Sequence, residues 1–271
     1  MTIDQIRQPV RHEFDLFVED YRQRTQSNVE LLVQVVDHLN RFPGKQLRPL
    51  LVLLAAQACR HLSPQHVKLA SAVELLHNAT LMHDDVVDES DSRRSHDSVR
   101  HRWGNQVAVL CGDFFLAQTM AILQEVSCRE ASQTLCRTVS TMCQGELMQL
   151  ASLNKSVSTH SYIDIIGSKT ASLMASCCQF GAIAPDNSTH PEFADALHRF
   201  GYHYGIVFQI RDDMNDFDKD HDVAIPLSAS PAQLIEEHSQ HARQALLTLP
   251  ESPARQTLLD LLLPDAPQPV R

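Results

Sequence analysis

Residues 77–90 of the chain read HNATLMHDDVVDES, and residues 208–217 read FQIRDDMNDF. In both stretches an Asp-Asp-x-x-Asp pattern follows an apolar run with helical periodicity. A helix places Asp84 and Asp88 one turn apart on one face, where two negative charges repel each other unless a cation lies between them. One such pattern could be a solvated helix end, but two copies after buried helices predict paired carboxylates on facing helices. Carboxylate oxygens combined with a substrate phosphate favour Mg²⁺.

Helical periodicity continues outward from these two stretches through most of the chain. It predicts helices over about 13–40, 46–60, 64–88, 105–128, 130–152, 160–182, 190–218 and 231–249. Residues 90–101 are polar and predict a loop. Only 8 of the 271 residues are glycine, and long alternating runs of β-branched residues are absent, so sheets are disfavoured. We therefore expect a single all-α domain over residues 1–271, with a frayed proline-rich tail at 264–271.

The overall charge and the cysteines limit the class of protein. A net charge of −10 argues against a general nucleic-acid binder. The 7 cysteines include no C-x-x-C pair, and the first residues form no apolar signal segment, which predicts reduced thiols and a cytoplasmic location. The longest apolar run, at 50–56, is far shorter than the ~20 residues that a membrane helix needs. We expect no membrane span and, if the product is a lipid, peripheral contact with a membrane.

An acidic protein with a phosphorylated substrate also needs local cations, and basic residues lie near several predicted helix ends. Lys45 and Arg48 are three residues apart where a helix begins, and free backbone N–H groups there favour an anion. Arg93 and Arg94 follow the first aspartate cluster in the polar loop, and arginine suits diphosphate oxygens. Each of these residues alone would more often be an ordinary surface residue, and a lone histidine such as His77 would more often be a core residue.

Five stretches with plausible spacing span most of residues 40–218: GKQLRP, ELLHNATLMHDDVVDESDSRR, GNQVAVLCGDFFLA, GSKTASL and YGIVFQIRDDMNDF. Together they resemble the trans-type polyprenyl diphosphate synthases, most closely the medium- and long-chain branch of that family. The resemblance implies an isoprenoid synthase fold, in which antiparallel helices surround a deep central cavity, and usually a homodimer. It also implies a Mg²⁺-dependent reaction that joins isopentenyl diphosphate to an allylic diphosphate such as farnesyl diphosphate.

The resemblance further implies roles for individual residues. The first aspartate motif (Asp84, Asp85, Asp88) and the second aspartate motif (Asp212, Asp213, Asp216) would hold Mg²⁺. The allylic diphosphate would contact Arg93 and Lys169. Isopentenyl diphosphate would contact Lys45, Arg48, His77 and Arg94. Thr170 and Gln209 would face the developing carbocation.

The length of the product is expected to depend on the helix that carries the first aspartate motif. Ala79 and Thr80 lie about one turn before that motif, where the growing chain would pass in this family. Both side chains are small, which predicts an open path and a medium- or long-chain product. Ala79 could instead pack closely against a neighbouring helix, because all the walls of a pocket set its size.

The chain departs from the family after the second aspartate motif. Residues 217–230 read FDKDHDVAIPLSAS and lack the usual lysine-containing loop, and Ser95 stands where a glycine is usual. A non-catalytic or regulatory subunit therefore stays possible. A terpene cyclase is a further alternative, but it needs no second substrate site, so GKQLRP and Arg94 argue against it. We favour an active synthase because closely spaced aspartates repel one another without metal.

Overall fold

The computed structural model describes residues 2–93, 96–153, 155–184, 186–216, 230–264 and 266, and for residues 215 and 216 it describes the backbone alone. The described residues are almost entirely helical, as the sequence predicts. The α-helices are α1 (Ile3–Arg7), α2 (Arg11–Arg24), α3 (Glu30–Arg41), α4 (Leu47–Ala58), α5 (Pro64–Val87), α6 (Val99–Trp103), α7 (Asn105–Val126), α8 (Arg129–Ser152), α9 (Thr159–Ile166), α10 (Ser172–Phe180), α11 (Pro191–Asp216), α12 (Pro231–Ala245) and α13 (Pro253–Asp260). Short 3₁₀ turns occupy Gln8–Val10 and Leu246–Thr248.

The long helices begin and end close to where periodicity places them. The predicted region 13–40 forms two helices, α2 and α3, and the predicted helix at 64–88 is α5. Three short helices, α1, α6 and α13, were not predicted, because five to eight residues carry too little periodicity. Of the expected frayed tail the structure describes Pro264, which is exposed, and Ala266, which is buried, so fraying of the remainder stays a prediction.

The helix α5 lies inside the main hydrophobic core and carries the first aspartate motif at its end. Pro64 occupies its first turn, and the Ser63 N–H donates to His66 Nδ1 over 3.1 Å, which satisfies one backbone donor at the start of the helix. Most of its side chains between residues 66 and 79 are buried, and it packs mainly against α7, α4 and α2. Because α5 packs against three other helices along most of its length, the hydrophobic core fixes the position of its acidic C-terminal end.

The region predicted as one helix at 160–182 is interrupted. Between α9 and α10 the residues Gly167–Ala171 adopt a π-helical turn, which we call the π segment. Single π-helical turns inside helices often occur at functional sites. Here the turn contains Lys169 and Thr170, the two residues of this region that the sequence singles out.

Glycines bring the neighbouring helices into close contact with the π segment and α10. A Cβ on Gly145 of α8 would lie 2.7 Å from the Lys169 backbone nitrogen, and a Cβ on Gly205 of α11 would lie 2.5 Å from the Ala171 Cα. A Cβ on Gly201 would meet the Met174 carbonyl oxygen at 2.5 Å. A larger residue would push the helices apart, so these glycines set the distance from α8 and α11 to the π segment.

The polar loop expected at 90–101 contains secondary structure that the sequence did not predict. Strands β1 (Ser92–Arg93) and β2 (His96–Asp97) pair antiparallel, with Ser92 opposite Asp97 and Arg93 opposite His96. The helix α6 follows, and the Ser98 hydroxyl accepts the His101 N–H at its start. Arg94 and Ser95 lie outside the described residues. This hairpin turns the chain back toward the end of α5.

The helix α7 has a buried apolar side and an exposed side on which apolar residues such as Leu110 and Met120 alternate with polar ones such as Asp113. It is long and apolar enough to cross a membrane by length and composition, and 39% of its most apolar window is buried. Phe115 and Ile122 are fully buried on its core side, whereas Leu110 and Met120 are 68% and 57% exposed. Part of α7 therefore presents an apolar face outside the core of this chain.

Candidate active site

Asp84 is a half-buried carboxylate with several charged neighbours. Burial raises the pKa of Asp84 to about 6, Lys169 and Arg93 oppose this shift, and Glu146 and Asp88 reinforce it. Two acidic and two basic side chains from different elements therefore act on this one group. A nearby cation would favour the ionised form of Asp84 and lower its pKa.

Asp85 is paired with an arginine from the hairpin. Only 3% of Asp85 is exposed, and its Oδ1 accepts from Arg93 Nε at 3.0 Å and from Arg93 Nη2 at 2.6 Å. Burial raises the pKa of Asp85, and the Arg93 charge opposes that shift. The hairpin thus brings Arg93 to the first aspartate motif, with the guanidinium bound to Asp85, and its expected contact with the allylic diphosphate stays a prediction.

Lys169 extends from the π segment to α8. Its Nζ lies 2.6 Å from Glu146 Oε2 and donates to Gln149 Oε1 over 3.2 Å. Lys169 also lowers the pKa of Asp84 through its charge, so its ammonium group acts on the first aspartate motif. Lys169 is therefore close to Asp84, and its expected contact with the allylic diphosphate stays a prediction.

A chain of hydrogen bonds connects the π segment to the second aspartate motif. The Thr170 hydroxyl donates to Gln209 Oε1 over 2.8 Å, and Gln209 Nε2 donates to Asp213 Oδ1 over 2.7 Å. The Tyr162 hydroxyl of α9 donates to Asp213 Oδ2. Both oxygens of Asp213 consequently accept a hydrogen bond from a neutral side chain.

Adjacent residues of the π segment interact with the two aspartate motifs. Lys169 acts on Asp84, and the adjacent Thr170 is joined through Gln209 to Asp213. Asp212 is 6% exposed, and its charge raises the pKa of Tyr162 after the larger effects of burial and Asp213. Asp88 and Asp212 are 124 positions apart in the sequence, and the convergence of the two motifs on one substrate site stays a prediction. The side chain of Asp216 lies outside the described residues.

The residues expected to contact isopentenyl diphosphate lie at the start of α4 and on α5. Arg48 Nη1 donates to His77 Nε2 over 2.9 Å, and His77 is two helical turns before Asp84 on the same helix. Lys45 lies three residues before Arg48 in the sequence and is half-buried, and burial lowers the pKa of its side chain. The structure brings Arg48 and His77 together, while Arg94 is not described.

Ala79 and Thr80 occupy different environments on α5. Ala79 is 2% exposed within the main hydrophobic core, and Thr80 is half-buried with its hydroxyl donating to the His77 carbonyl over 2.9 Å. A small residue at 79 therefore packs within the core, and the role of both residues in product length stays a prediction.

Sequence reasoning missed three polar residues of this region: Glu146, Gln149 and Tyr162. Glu146 is the only acidic residue of α8 after Glu130, and it directly follows Gly145. A single acidic residue next to a glycine in an otherwise uncharged stretch could have marked it as a candidate site residue. Tyr162 carried no such signal, because its bond to Asp213 joins residues 51 positions apart.

The donor set of this region suits a hard divalent cation. Asp84 and Asp88 supply carboxylate oxygens, and the charges of Asp88 and Glu146 both raise the pKa of Asp84. The described residues contain no cluster of three or more acidic, histidine or cysteine side chains already arranged to hold a metal ion. Oxygen ligands of this kind match Mg²⁺ or Ca²⁺.

Residues 29–224 match the family model described as Polyprenyl synthetase, which is most of the chain. The chain belongs to the polyprenyl synthetase family. The all-trans-nonaprenyl-diphosphate synthase (geranyl-diphosphate specific) of Rhodobacter capsulatus is 36% identical to this family member over 227 residues, covering 82% of the chain and 69% of that enzyme. The octaprenyl diphosphate synthase of Escherichia coli (strain K12) is 33% identical over 195 residues, covering 72% of the chain and 60% of that enzyme. The matched segment thus spans less than two thirds of the Escherichia coli relative.

This member of the synthetase family also resembles solved structures over nearly its whole length. The polyprenyl synthase of Caulobacter crescentus CB15, complexed with calcium and isoprenyl diphosphate, superposes with a TM-score of 0.88 at 25% identity, covering 96% of both chains. This similarity confirms the isoprenoid synthase fold that the sequence predicts.

Proposed function

We propose that this protein is a prenyltransferase that condenses isopentenyl diphosphate with an allylic diphosphate, such as farnesyl diphosphate, into a medium- or long-chain all-trans polyprenyl diphosphate. The observation that carries the proposal is the π segment, whose adjacent residues interact with both aspartate motifs: Lys169 acts on Asp84, and Thr170 is joined through Gln209 to Asp213. The names of the nonaprenyl and octaprenyl relatives support the reaction class.

We assign Mg²⁺ to the two aspartate motifs, Asp84, Asp85 and Asp88 with Asp212, Asp213 and Asp216. The bound ions would neutralise charge on the departing diphosphate. Lys169 and Arg93 would bind oxygens of the allylic diphosphate, because both lie beside the first motif and carry positive charge. Lys45, Arg48, His77 and Arg94 are proposed to hold isopentenyl diphosphate, whose double bond attacks the allylic cation.

The polar atoms of Thr170 and Gln209 are proposed to stabilise the positive charge of that cation. The Thr170 oxygen and the Gln209 carbonyl are linked by a hydrogen bond, so their dipoles are held in a fixed arrangement before the reaction begins. No side chain is assigned as the base, and the released diphosphate would accept the final proton. The buried apolar surroundings would exclude water, which would otherwise capture the cation.

We further propose that a second copy of this chain covers the exposed face of α7. That face carries Leu110 and Met120, both more than half exposed, on a helix whose other side is buried in the core. Apolar side chains spaced along one helix face are stabilised by burial against another protein surface.

The 7 cysteines are all free thiols, which supports a cytoplasmic location.

A product assay tests the proposed function. The purified protein is incubated with Mg²⁺, farnesyl diphosphate and labelled isopentenyl diphosphate, and the extracted lipids are resolved by chain length. We expect label in prenyl diphosphates longer than the primer, with medium or long chains dominant because Ala79 and Thr80 are small. Sedimentation of the same preparation at micromolar concentration should give the mass of a dimer, whereas a monomer that binds lipid vesicles would assign the α7 face to a membrane.

Other products would support the alternatives. Hydrocarbon formed without isopentenyl diphosphate would indicate a terpene cyclase. No turnover alone, combined with altered product length after mixing with a related synthase, would indicate a regulatory subunit. Omission of Mg²⁺ is the control, and full activity after complete chelation would contradict the metal assignment.

A further inference from the structure

Glu146 is a polar residue of the site region to which the proposed mechanism gives no role. It lies on α8 with a side chain that is 16% exposed, and its Oε2 is 2.6 Å from Lys169 Nζ. Its Oε1 is buried and accepts no hydrogen bond from the described residues. A carboxylate in this position loses hydration, and one ion pair repays that loss only in part.

The position of Glu146 is also unfavourable for its acidic neighbour. Its charge raises the pKa of Asp84, so two negative groups lie close together. A residue kept only for stability would not be expected to add negative charge beside a buried aspartate. Its placement is better explained by what it does to Lys169.

The main chain of α8 is shaped to meet Lys169. Gly145 precedes Glu146, and a Cβ at Gly145 would lie 2.7 Å from the Lys169 backbone nitrogen and 2.8 Å from the Ser168 Cβ. The close approach of α8 to the π segment therefore requires glycine there. One turn of α8 thus contacts Lys169 at its backbone through Gly145 and at its ammonium group through Glu146.

The hydrogen bonds of Lys169 define a direction. An ammonium group has three N–H donors. Two oxygens on α8, Glu146 Oε2 at 2.6 Å and Gln149 Oε1 at 3.2 Å, hold the Lys169 Nζ from one side. The charge of Lys169 also acts on Asp84. With two donors directed to α8, the orientation of the third is restricted.

We propose that Glu146 is a positioning residue that, with Gln149, holds the Lys169 ammonium group so that its remaining donor faces the diphosphate bound at the first aspartate motif. This inference rests on the proposed function for the identity of the diphosphate. It adds a residue that acts through Lys169 and does not itself touch the substrate. Positioning of this kind restricts a flexible four-carbon side chain before the substrate arrives.

A double-mutant cycle tests whether Glu146 acts through Lys169. The four proteins are the wild type, Glu146→Ala, Lys169→Ala and the double variant, and the measurement is calorimetric binding of inorganic pyrophosphate with Mg²⁺. We expect Glu146→Ala to weaken binding about tenfold in the wild-type background and to have little further effect when Lys169 is already alanine. Equal losses in both backgrounds would overturn the proposal.

Further variants separate positioning from a structural role. Glu146→Gln keeps the size of the side chain and one acceptor oxygen, so it should retain more of the affinity than Glu146→Ala, and thermal unfolding verifies that each variant is folded. Glu130→Ala removes the same charge from the exposed first turn of α8 and should leave pyrophosphate binding unchanged. If Glu146→Gln binds pyrophosphate more tightly than the wild type, the carboxylate only repels the anion and the proposal is wrong.

Kinetics distinguish failure of this inference from failure of the proposed function. With an active wild type, Glu146→Ala should raise KM for the allylic diphosphate and leave KM for isopentenyl diphosphate nearly unchanged. An active wild type with an unaffected Glu146→Ala variant would overturn the inference alone. An inactive wild type that shows the expected coupling in pyrophosphate binding would overturn the proposed function and leave the positioning role supported.

Discussion

The two aspartate motifs are stabilised in different ways. At the end of α5, Asp85 is bound by the Arg93 guanidinium, and Asp84 lies among charged groups and has a pKa raised to about 6 mainly by burial. At the end of α11, both oxygens of Asp213 accept hydrogen bonds from the neutral side chains of Gln209 and Tyr162. One motif is organised by charges and the other by neutral donors.

This difference indicates which motif depends more on a bound cation. Asp88 and Glu146 act on Asp84 as like charges, so the ionised first motif has unfavourable electrostatic energy that a divalent cation would remove. The network of Thr170, Gln209 and Asp213 is complete without an ion and is preorganised by the fold. We therefore expect matched substitutions in the two motifs to have opposite effects on the stability of the metal-free protein.

The largest expected effect comes from Asp84→Asn. Turnover should fall by about a thousandfold or more, because this change removes a proposed ligand of the ion that stabilises the departing diphosphate. The melting temperature of the metal-free protein should rise by a few degrees, since the surroundings of Asp84, mainly its burial, disfavour the anion by on the order of 3 kcal/mol at neutral pH. Product assays and calorimetric unfolding in the presence of a chelator measure the two effects.

Asp213→Asn is the matched control in the second motif. A side-chain amide has one acceptor oxygen, so it cannot accept from both Gln209 and Tyr162 as the carboxylate does. The melting temperature of the metal-free protein should therefore fall, by an amount equivalent to about 1–2 kcal/mol. A shift of both melting temperatures in the same direction would contradict the distinction between the motifs.

A smaller effect is expected from Tyr162→Phe. The substitution removes one hydroxyl from a fully buried ring and leaves Asp213 Oδ2 without its donor. A hydrogen bond to a charged group contributes about 1.5–3 kcal/mol, so turnover should fall roughly ten- to a hundredfold if the orientation of Asp213 matters for the reaction. Steady-state kinetics over a range of Mg²⁺ concentrations measure the loss.

Tyr204→Phe provides the control for Tyr162→Phe. Tyr204 is 2% exposed on α11, and its ring stacks on Phe200 at a centroid distance of 5.9 Å in the main hydrophobic core, whereas Tyr162 packs in a separate, smaller cluster. Its substitution likewise removes one hydroxyl oxygen from a buried ring and should leave the dependence on Mg²⁺ unchanged. Equal loss of turnover in both variants would mean that general stability, and not the position of Asp213, limits activity.

The sequence predicts the parts of the fold that extend over several turns. The helices α5, α7, α8 and α11 have enough periodic apolar positions to be recognised, and the Asp-Asp-x-x-Asp spacing marks the acidic ends of α5 and α11. The hairpin of β1 and β2 has two residues in each strand, too few for alternation to be visible. The π segment shifts the helical register over a few residues but keeps the stretch apolar, so the apolar periodicity of residues 160–182 predicts one continuous helix.

The candidate site shows the same division between local and long-range information. Asp84 and Asp88 are one helical turn apart, so their spacing in the sequence is enough to predict that they lie close together. The bond from Lys169 to Gln149 joins residues 20 positions apart, and that from Tyr162 to Asp213 joins residues 51 positions apart. Such pairs depend on how α8, α9 and α11 pack, which single-sequence patterns do not specify.

The packing behind the second motif offers a further contrast, because it contains titratable residues. Behind Asp213, α11 packs on α12, where His203 Nδ1 and His238 Nδ1 are 2.9 Å apart. Burial lowers the pKa of His203 to about 4, and His238, His241 and Arg199 add to the shift. Burial also lowers the pKa of His238, with His241 acting in the same direction and Glu237 opposing.

The smallest effect is therefore a pH-dependent loosening of α11 from α12. Unfolded histidines titrate near pH 6.5, so between about pH 6.5 and 4 the unfolded chain binds protons that the folded His203 does not, and stability falls as the pH falls. Asp84 has the opposite sign, because its raised pKa lets the folded state bind a proton below about pH 6 before the unfolded chain does. Hydrogen exchange at pH 7.5 and 5.5 should show protection lost across residues 200–245, by about 1 kcal/mol, and retained across residues 77–88.

His203→Gln should reduce the difference in protection between the two pH values, since glutamine does not titrate. An undiminished difference would assign the loosening to other groups.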